Sequence, residues 1–584
     1  MKSRFEVIKK LWPLPKEYLI ERSLKNLSVT EKVIFFCLIF IFIFSSLFLL
    51  LKVNASTIVE IPSKGGSLVE GVIGTPRFIN PLFSSDGSDA DKDLTLLVYS
   101  GLLKATPDGE LRNDLSENFE ISPDGLSYTF RLRDDIYFHD GAKITTEDIE
   151  FTIQKIQDSS VRSPKRTNWE NVSIEVLDSR EIKFILSQPF SYFLDNTTLG
   201  ILPKHLWSEV SPEQFISSSL NIEPIGSGPY KIKSIKRDSN GLPTEYRLES
   251  FKKYALGEPH IKKLKIKFFQ NEMDMVSAFE KKQIEAINSI NPLTVKELEI
   301  LKNRKLESVT LSRIFGLFLN QNQASLFTNK ELRRALNTAL DKEEIIEEVL
   351  LGHGEVSNSP LPTFFSKVEK DPYQSREERI SAAKEILKDG GWEFNEEEKI
   401  WKKETKSEDW ILSFSISTAD TADLKSVAEI LKRQWEELGV VVDIRVFELS
   451  DLKQNVIRPR KYDSLLFGKV IGRDVDLSPF WHSSQRNDPG LNVSLYTNIN
   501  VDKILEEIRL ESDRTIKMEK YLELEEEILM DYPAIFLYSP NFIYFVPEEL
   551  KNLKINFITT PSERFLNVHE WYIETDKIWK FFLI

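Results

Sequence analysis

The chain has 584 residues, 41% hydrophobic and 29% charged, with a formal net charge of −14. That acidity excludes a nucleic-acid partner, which selects basic surfaces. Cys37 is the single cysteine, which excludes disulfides, zinc–thiolate sites and cysteine nucleophiles from the rest of the chain.

Residues 1–32 form a basic leader with eight Lys/Arg against four Asp/Glu. Residues 33–51, VIFFCLIFIFIFSSLFLLL, carry no charge and are just long enough to cross a bilayer as a helix. The positive-inside rule puts residues 1–32 in the cytoplasm and the bulk of the chain outside the cell membrane. Val53-Asn54-Ala55 also reads as a small-residue cleavage site, so a signal peptide cut after Ala55 is the alternative. The apolar run exceeds an ordinary signal sequence, and the expectation is an uncleaved, single-pass anchor. Residues 52–64 read as a tether.

Roughly 530 residues then lie outside the membrane, too many for one core, and two or three domains are expected. Pro123-Asp124-Gly125 is a turn. Tyr128, Phe130 and Leu132 alternate with polar residues, the period of a half-buried strand. Ile136 and Phe138 are expected to extend that sheet, and Asp140-Gly141 turns the chain again. Thr145-x-x-Asp148 predicts a capped helix with Ile149, Ile153 and Ile156 on one face. Val172, Ile174 and Val176, then Ile182, Phe184 and Leu186, read as a hairpin across residues 178–180. Asp341-x-x-Glu344 predicts a second capped helix with Ile345, Ile346, Val349 and Leu350 inward, stopped by Gly352. Val427, Ile430, Leu431 and Leu438 mark a third helix ending at Gly439, with a strand over 440–447. Helix and strand in repeated succession argue for α/β layers.

Catalytic signals are missing from the sequence. No Gly-x-Ser-x-Gly elbow follows a strand, and no His-Glu-x-x-His occurs. The six histidines include no i,i+4 pair, and His139-Asp140 reads as a turn. No metal site, cofactor or enzymatic activity is expected.

The segment from Ser122 to Phe151, SPDGLSYTFRLRDDIYFHDGAKITTEDIEF, resembles the signature of the family 5 extracellular solute-binding proteins, the oligopeptide, dipeptide and nickel receptors of ABC importers. Further segments match that family in its order: Gly226-Ser-Gly-Pro-Tyr230, Leu332-Arg-Arg-Ala-Leu-Asn-Thr-Ala-Leu-Asp341, Trp435-Glu-Glu-Leu-Gly-Val440, Tyr462-Asp463, Phe480-Trp-His-Ser-Ser484, Asn492-Val-Ser-Leu-Tyr-Thr-Asn498 and Asp531-Tyr-Pro-Ala-Ile-Phe-Leu-Tyr538.

The resemblance implies a two-lobed, periplasmic-binding-protein-like α/β fold of the large, three-domain type behind the N-terminal transmembrane helix. Lobe I would be discontinuous, over 65–97, 222–313 and 532–584. An inserted domain II would occupy 98–221 and lobe III 314–531, with crossings near 312–320 and 530–538. Two segments would face the cleft, 84–92 and 468–481. They supply the candidate ligand residues Ser85, Asp86, Asp89, Arg473, Asp474, Asp476, Phe480 and Trp481. Peptide-binding relatives open the second segment with Gly-Trp and place an Asp against the ligand's ammonium. Here Gly468 precedes Lys469. Aligned on Phe480-Trp481, Arg473 takes the Asp position and Asp474 is one residue off. Either Asp474 meets an ammonium or Arg473 meets an anion.

The implied function is capture of a peptide or similar small solute by hinge closure. An ABC permease and its ATPase would be the partners, and the receptor would be a monomer. The alternative is a tethered peptide sensor, or holder of unfolded peptide, without a transporter.

Overall fold

Burial alternation decides where the strands lie. The computed structural model describes residues 26–580 except 85, 86, 301, 302, 369–371, 374, 406–408 and 474. The chain divides into two compact units, residues 1–63 with 574–584, and residues 64–573.

In the first unit, Ser28 and Glu31 form a capping box that opens the helix Val29–Thr57. Within its stretch Val29–Asn54 an 18-residue window reaches a mean hydropathy of 3.1 and is not buried by protein, so the helix is long and apolar enough to cross a membrane. The helix does not stop at the end of the uncharged run. It continues to Thr57, and the strand Ile58–Pro62 follows, paired antiparallel with Thr575–Trp579. The expected tether is therefore half helix and half strand, and Thr575–Trp579 pairs here rather than in the body.

In the second unit, a twelve-stranded sheet runs among the described residues. Its centre is the strand Ala534–Pro547, buried along both halves and half-exposed only at Pro540 and Asn541. Residues 534–538 pair antiparallel with Arg313–Leu319. Residues 541–547 pair with Arg304–Thr310. The same strand thus serves two large hydrophobic cores and, through Ile543 and Phe545, a smaller third cluster. One gathers residues from Ile314 to Tyr538, including Phe318, Trp401, Trp435, Tyr462 and Trp481. The other includes Leu68, Phe130, Phe184, Trp207, Tyr544 and Trp571. The chain crosses between them at 311–314 and 538–542. The block 98–221 shares the second core, as Phe130 and Phe184 show, and does not build one of its own.

Local patterns formed as their chemistry dictates. Ser127–Leu132 turns Tyr128, Phe130 and Leu132 inward, and pairs with Glu181–Leu186 of the expected hairpin. Gly125 takes a φ of 68° in the turn before it. Thr145 and Asp148 form the capping box of Thr146–Gln157, which buries Ile149, Ile153 and Ile156. Ala422–Leu438 ends at Gly439 in the left-handed region, φ 91°.

Two expectations fail. Ile136 and Phe138 are buried, but the sheet ends at Leu132. They belong to a separate loop-back in which Ile144 N–H donates to Ile136 O and Phe138 N–H to Ala142 O. The helix begun by Asp341 is short, Glu343–Glu348, with Lys342 at its N-cap. Asp341 Oδ1 accepts from Glu343 N at 3.2 Å instead, a turn one residue too early to cap the helix.

The turn at residues 226–230 is locked to the end of the helix Asp89–Val98. Gly228 N donates to Val98 O at 2.7 Å, and a Cβ on Gly228 would lie 2.6 Å from the Val98 carbonyl carbon. His139 Nε2 bonds Gly228 O at 3.0 Å. Burial pushes the His139 imidazole down to about 4.

Beneath the sheet lies a buried charge cluster. Arg564 donates from Nε to Glu70 Oε1 at 2.7 Å and from Nη2 to Asp93 Oδ2 at 2.6 Å. Tyr544 O–H and Asn288 Nδ2 also donate to Glu70, each at 3.0 Å. Burial raises the Asp93 carboxyl to about 6 against the pull of Arg564.

Two outcomes follow from this geometry. Arg564→Met strands two buried carboxylates and should lower unfolding free energy by about 3–5 kcal/mol in urea titration; a loss under about 1 kcal/mol would show that the cluster relaxes. His139 is neutral in both states above pH 6.5. As pH falls from about 6.5 to about 4, only the unfolded chain takes up the proton. Stability should drop by up to about 3 kcal/mol across that window, and His139→Gln should flatten that part of the pH profile.

Candidate functional site

The two crossings between the cores meet at a cavity of about 320 Å³. Arg313 opens the strand Arg313–Leu319, and Tyr538 lies on its partner strand. Both line the cavity, with Phe315 and Asp423 from the side of the first core and Asp89 and Glu272 from the side of the second. The Phe315 and Tyr538 rings stack at 4.8 Å and 6°, which fixes both side chains.

Two donors here lack protein acceptors. Arg313 Nε and the Tyr538 hydroxyl are buried without a hydrogen-bond partner among the described residues. Burial lowers the Arg313 guanidinium from its usual value, while Asp89 and Tyr538 act to hold the charge. Burial raises the Tyr538 phenol. Both groups therefore enter the neutral range as donors. Orphaned buried donors cost about 1–3 kcal/mol each unless an acceptor arrives, so the site favours a ligand with a carboxylate or carbonyl oxygen. Asp89, Asp423 and Glu272 around the same space favour a cationic group beside it.

Of the expected ligand residues that are described, only Asp89 reaches this cavity. It is exposed in the first turn of Asp89–Val98. Ser85, Asp86 and Asp474 lie outside the described residues. Asp91 beside them is occupied, accepting from Arg77 N at 2.6 Å and Phe78 N at 2.7 Å.

Arg473 lies elsewhere, 9% exposed, and its Nη2 meets Glu563 Oε2 at 2.8 Å. Its Nη1 donates to Thr106 O at 3.2 Å, and its guanidinium covers Phe557 at 5.0 Å. Glu563 also accepts from Thr559 N at 2.7 Å. The arginine therefore ties segment 468–481 to the chain around the second core, and it borders a larger cavity of about 670 Å³ with Phe364, Arg514 and Phe557.

Asp476 accepts from Ser478 N at 2.9 Å, a turn one residue ahead of Leu477, the N-cap of the short helix Ser478–Trp481. Trp481 is 2% exposed and sits at 5.8 Å from Phe536, inside the core. Phe480 is half-buried. Both rings, with Phe318, surround the Lys469 ammonium at 4.2–5.0 Å. Lys469 Nζ has no hydrogen-bond partner among the described residues, and burial lowers its pKa well below the usual value. The lysine at the family's tryptophan position thus points into an aromatic cage.

Sequence reasoning missed Arg313. Its one available signal is a lone charge at the head of the apolar run 314–319.

The family described as bacterial extracellular solute-binding proteins, family 5, matches residues 110–489. The oligopeptide-binding protein AppA of Bacillus subtilis (strain 168) is 28% identical over 523 residues, 88% of this chain and 92% of the relative. Its structure in complex with a nonapeptide superposes with a TM-score of 0.69 at 27% identity, over 88% of this chain and all of that one. CtaP, an ABC transporter substrate-binding protein of Listeria monocytogenes, gives 0.73 at 26% identity, over 88% of this chain and 100% of that one. NikZ of Campylobacter jejuni, solved with Ni(L-His), gives 0.69 at 27% identity, over 87% of this chain and 99% of that one. Receptors of this family bind solutes and do not transform them. With the two-core α/β architecture and a family match over most of its length, the chain belongs to the family 5 bacterial extracellular solute-binding proteins.

Proposed function

We propose that this chain captures a peptide, or a similarly small zwitterionic solute, in the cavity between its two cores. It would then deliver the solute to an ABC permease and its ATPase while held at the cell membrane by Val29–Thr57. The observation that carries the reading is the pair of orphaned donors, Arg313 Nε and the Tyr538 hydroxyl, on the two strands that join the cores. A ligand carboxylate supplies their acceptor. Asp89, on the opposite wall, supplies the partner for an ammonium. AppA's nonapeptide ligand supports the peptide class. A cavity near 320 Å³ is at the small end of ligand sites, which suits one end of a peptide held firmly with the rest less confined.

Arg473 is assigned a different part. It already holds Glu563, so it acts as a latch between segment 468–481 and the other lobe, and stabilises the closed form in which ligand is retained. Asp474 remains the candidate for a second ammonium contact on that segment.

Calorimetry with a peptide series tests the ligand. Arg313→Ala should weaken binding by about 2–5 kcal/mol, the range for removing one partner of a buried charge pair, and a peptide with an amidated C-terminus should lose a similar amount on the native protein. Full affinity for the amidated peptide would overturn the assignment.

The latch is tested separately. Arg473→Ala and Glu563→Ala should weaken binding alike, and the double variant should add little beyond either single one. If Arg473 reads ligand charge itself, Glu563→Ala will not reproduce its effect.

A further inference from the structure

The membrane helix does not hand over to loose chain. Its last residue, Thr57, is followed directly by Ile58–Pro62, and Ile58 pairs with Trp579 of the antiparallel strand Thr575–Trp579. Trp579 Nε1 donates to Asn54 Oδ1 at 2.8 Å. Trp579 is nonetheless 45% exposed. The sequence runs on as Lys580-Phe581-Phe582-Leu583-Ile584.

We propose that Trp579 forms a second membrane contact, in the lipid interface beside the helix. Three arguments converge on it. The first is depth. Asn54 lies three residues beyond Leu51, the last of the uncharged run, or about 4–5 Å along a helix. The headgroup layer on each side of the hydrocarbon is about 5–8 Å thick. The indole is therefore held at the level where tryptophan is enriched in membrane proteins.

The second argument is direction. Because the strand pair is antiparallel, the chain reaching Trp579 is heading toward the end of the helix, and so toward the bilayer. The third is composition. Lys577 and Lys580 flank the indole, an arrangement suited to anionic headgroups around an interfacial tryptophan. The partner is lipid, not the solute or the permease.

The inference rests on reading Val29–Thr57 as an uncleaved anchor, and its test separates the two. Three single-cysteine versions of the full chain are reconstituted in vesicles of phosphatidylcholine and phosphatidylglycerol. They are the native Cys37 protein, Cys37→Ser with Lys580→Cys, and Cys37→Ser with Glu397→Cys as an exposed control. Each carries an environment-sensitive fluorophore. Quenching is read with aqueous iodide and with lipids bearing a nitroxide near the headgroup. The expected result is that Cys37 and position 580 are both shielded from iodide, that position 397 is not, and that the headgroup nitroxide quenches position 580 several-fold more than position 397. Trp579→Ser should then raise iodide access at 580 several-fold. If Cys37 is shielded while 580 is quenched like 397, the second contact is overturned and the anchor stands. If both are open to iodide, the anchor reading falls and the second contact with it.

Discussion

One strand belongs to both cores, and the architecture depends on it. Ala534–Pro547 pairs with Arg313–Leu319 through its first part and with Arg304–Thr310 through its second. Its burial lapses at one place, Pro540 and Asn541, between the parts that serve the two cores. Proline has no N–H to give to a ladder, and Pro540 O instead accepts from Leu311 N at 3.0 Å, across to the second crossing. Asn541 steadies the same point by bonding Thr310 Oγ1 and Ser308 Oγ, each at 3.1 Å. A two-stranded joint of this kind permits bending in one sense and resists shear, the mechanical requirement for lobes that close on a solute.

The charge distribution follows from that joint. Groups far from the crossings are paired within one wall, as with Arg564 between Glu70 and Asp93. Groups at the crossings are left with unused capacity, as with Arg313 and Tyr538. The first arrangement keeps a lobe rigid while it moves. The second leaves binding free energy for a ligand to supply. Arg473 and Glu563 are intermediate, paired in this structure but on segments that separate if the lobes part.

Local order was legible in the sequence wherever a short-range period or cap determined it. The 127–132 strand, the Thr145–Asp148 box and the stop at Gly439 each rest on neighbours within a few residues. The family motifs carried the long-range order. The register of the cleft was not legible, because it depends on contacts hundreds of residues apart. Arg564 meets Glu70 494 residues away, and no local pattern marks that pairing. Trp481 looked like a cleft residue from its place in a motif, yet aromatic packing against Phe536 draws it into the core. Lys469 looked like a lost tryptophan, and its ammonium faces three rings.

The pairing of Ile58–Pro62 with Thr575–Trp579 has a consequence for biogenesis. Asn54 and Trp579 are 525 residues apart, so one strand is made and exported long before its partner exists. Until then it presents a bare edge of N–H and C=O groups, a template for pairing with any extended chain nearby. Closing so long a loop is slow, and the body, rich in nearer contacts, folds first. The clasp therefore closes last: a chain truncated in synthesis keeps an open edge on Ile58–Pro62, next to the end of the helix Val29–Thr57.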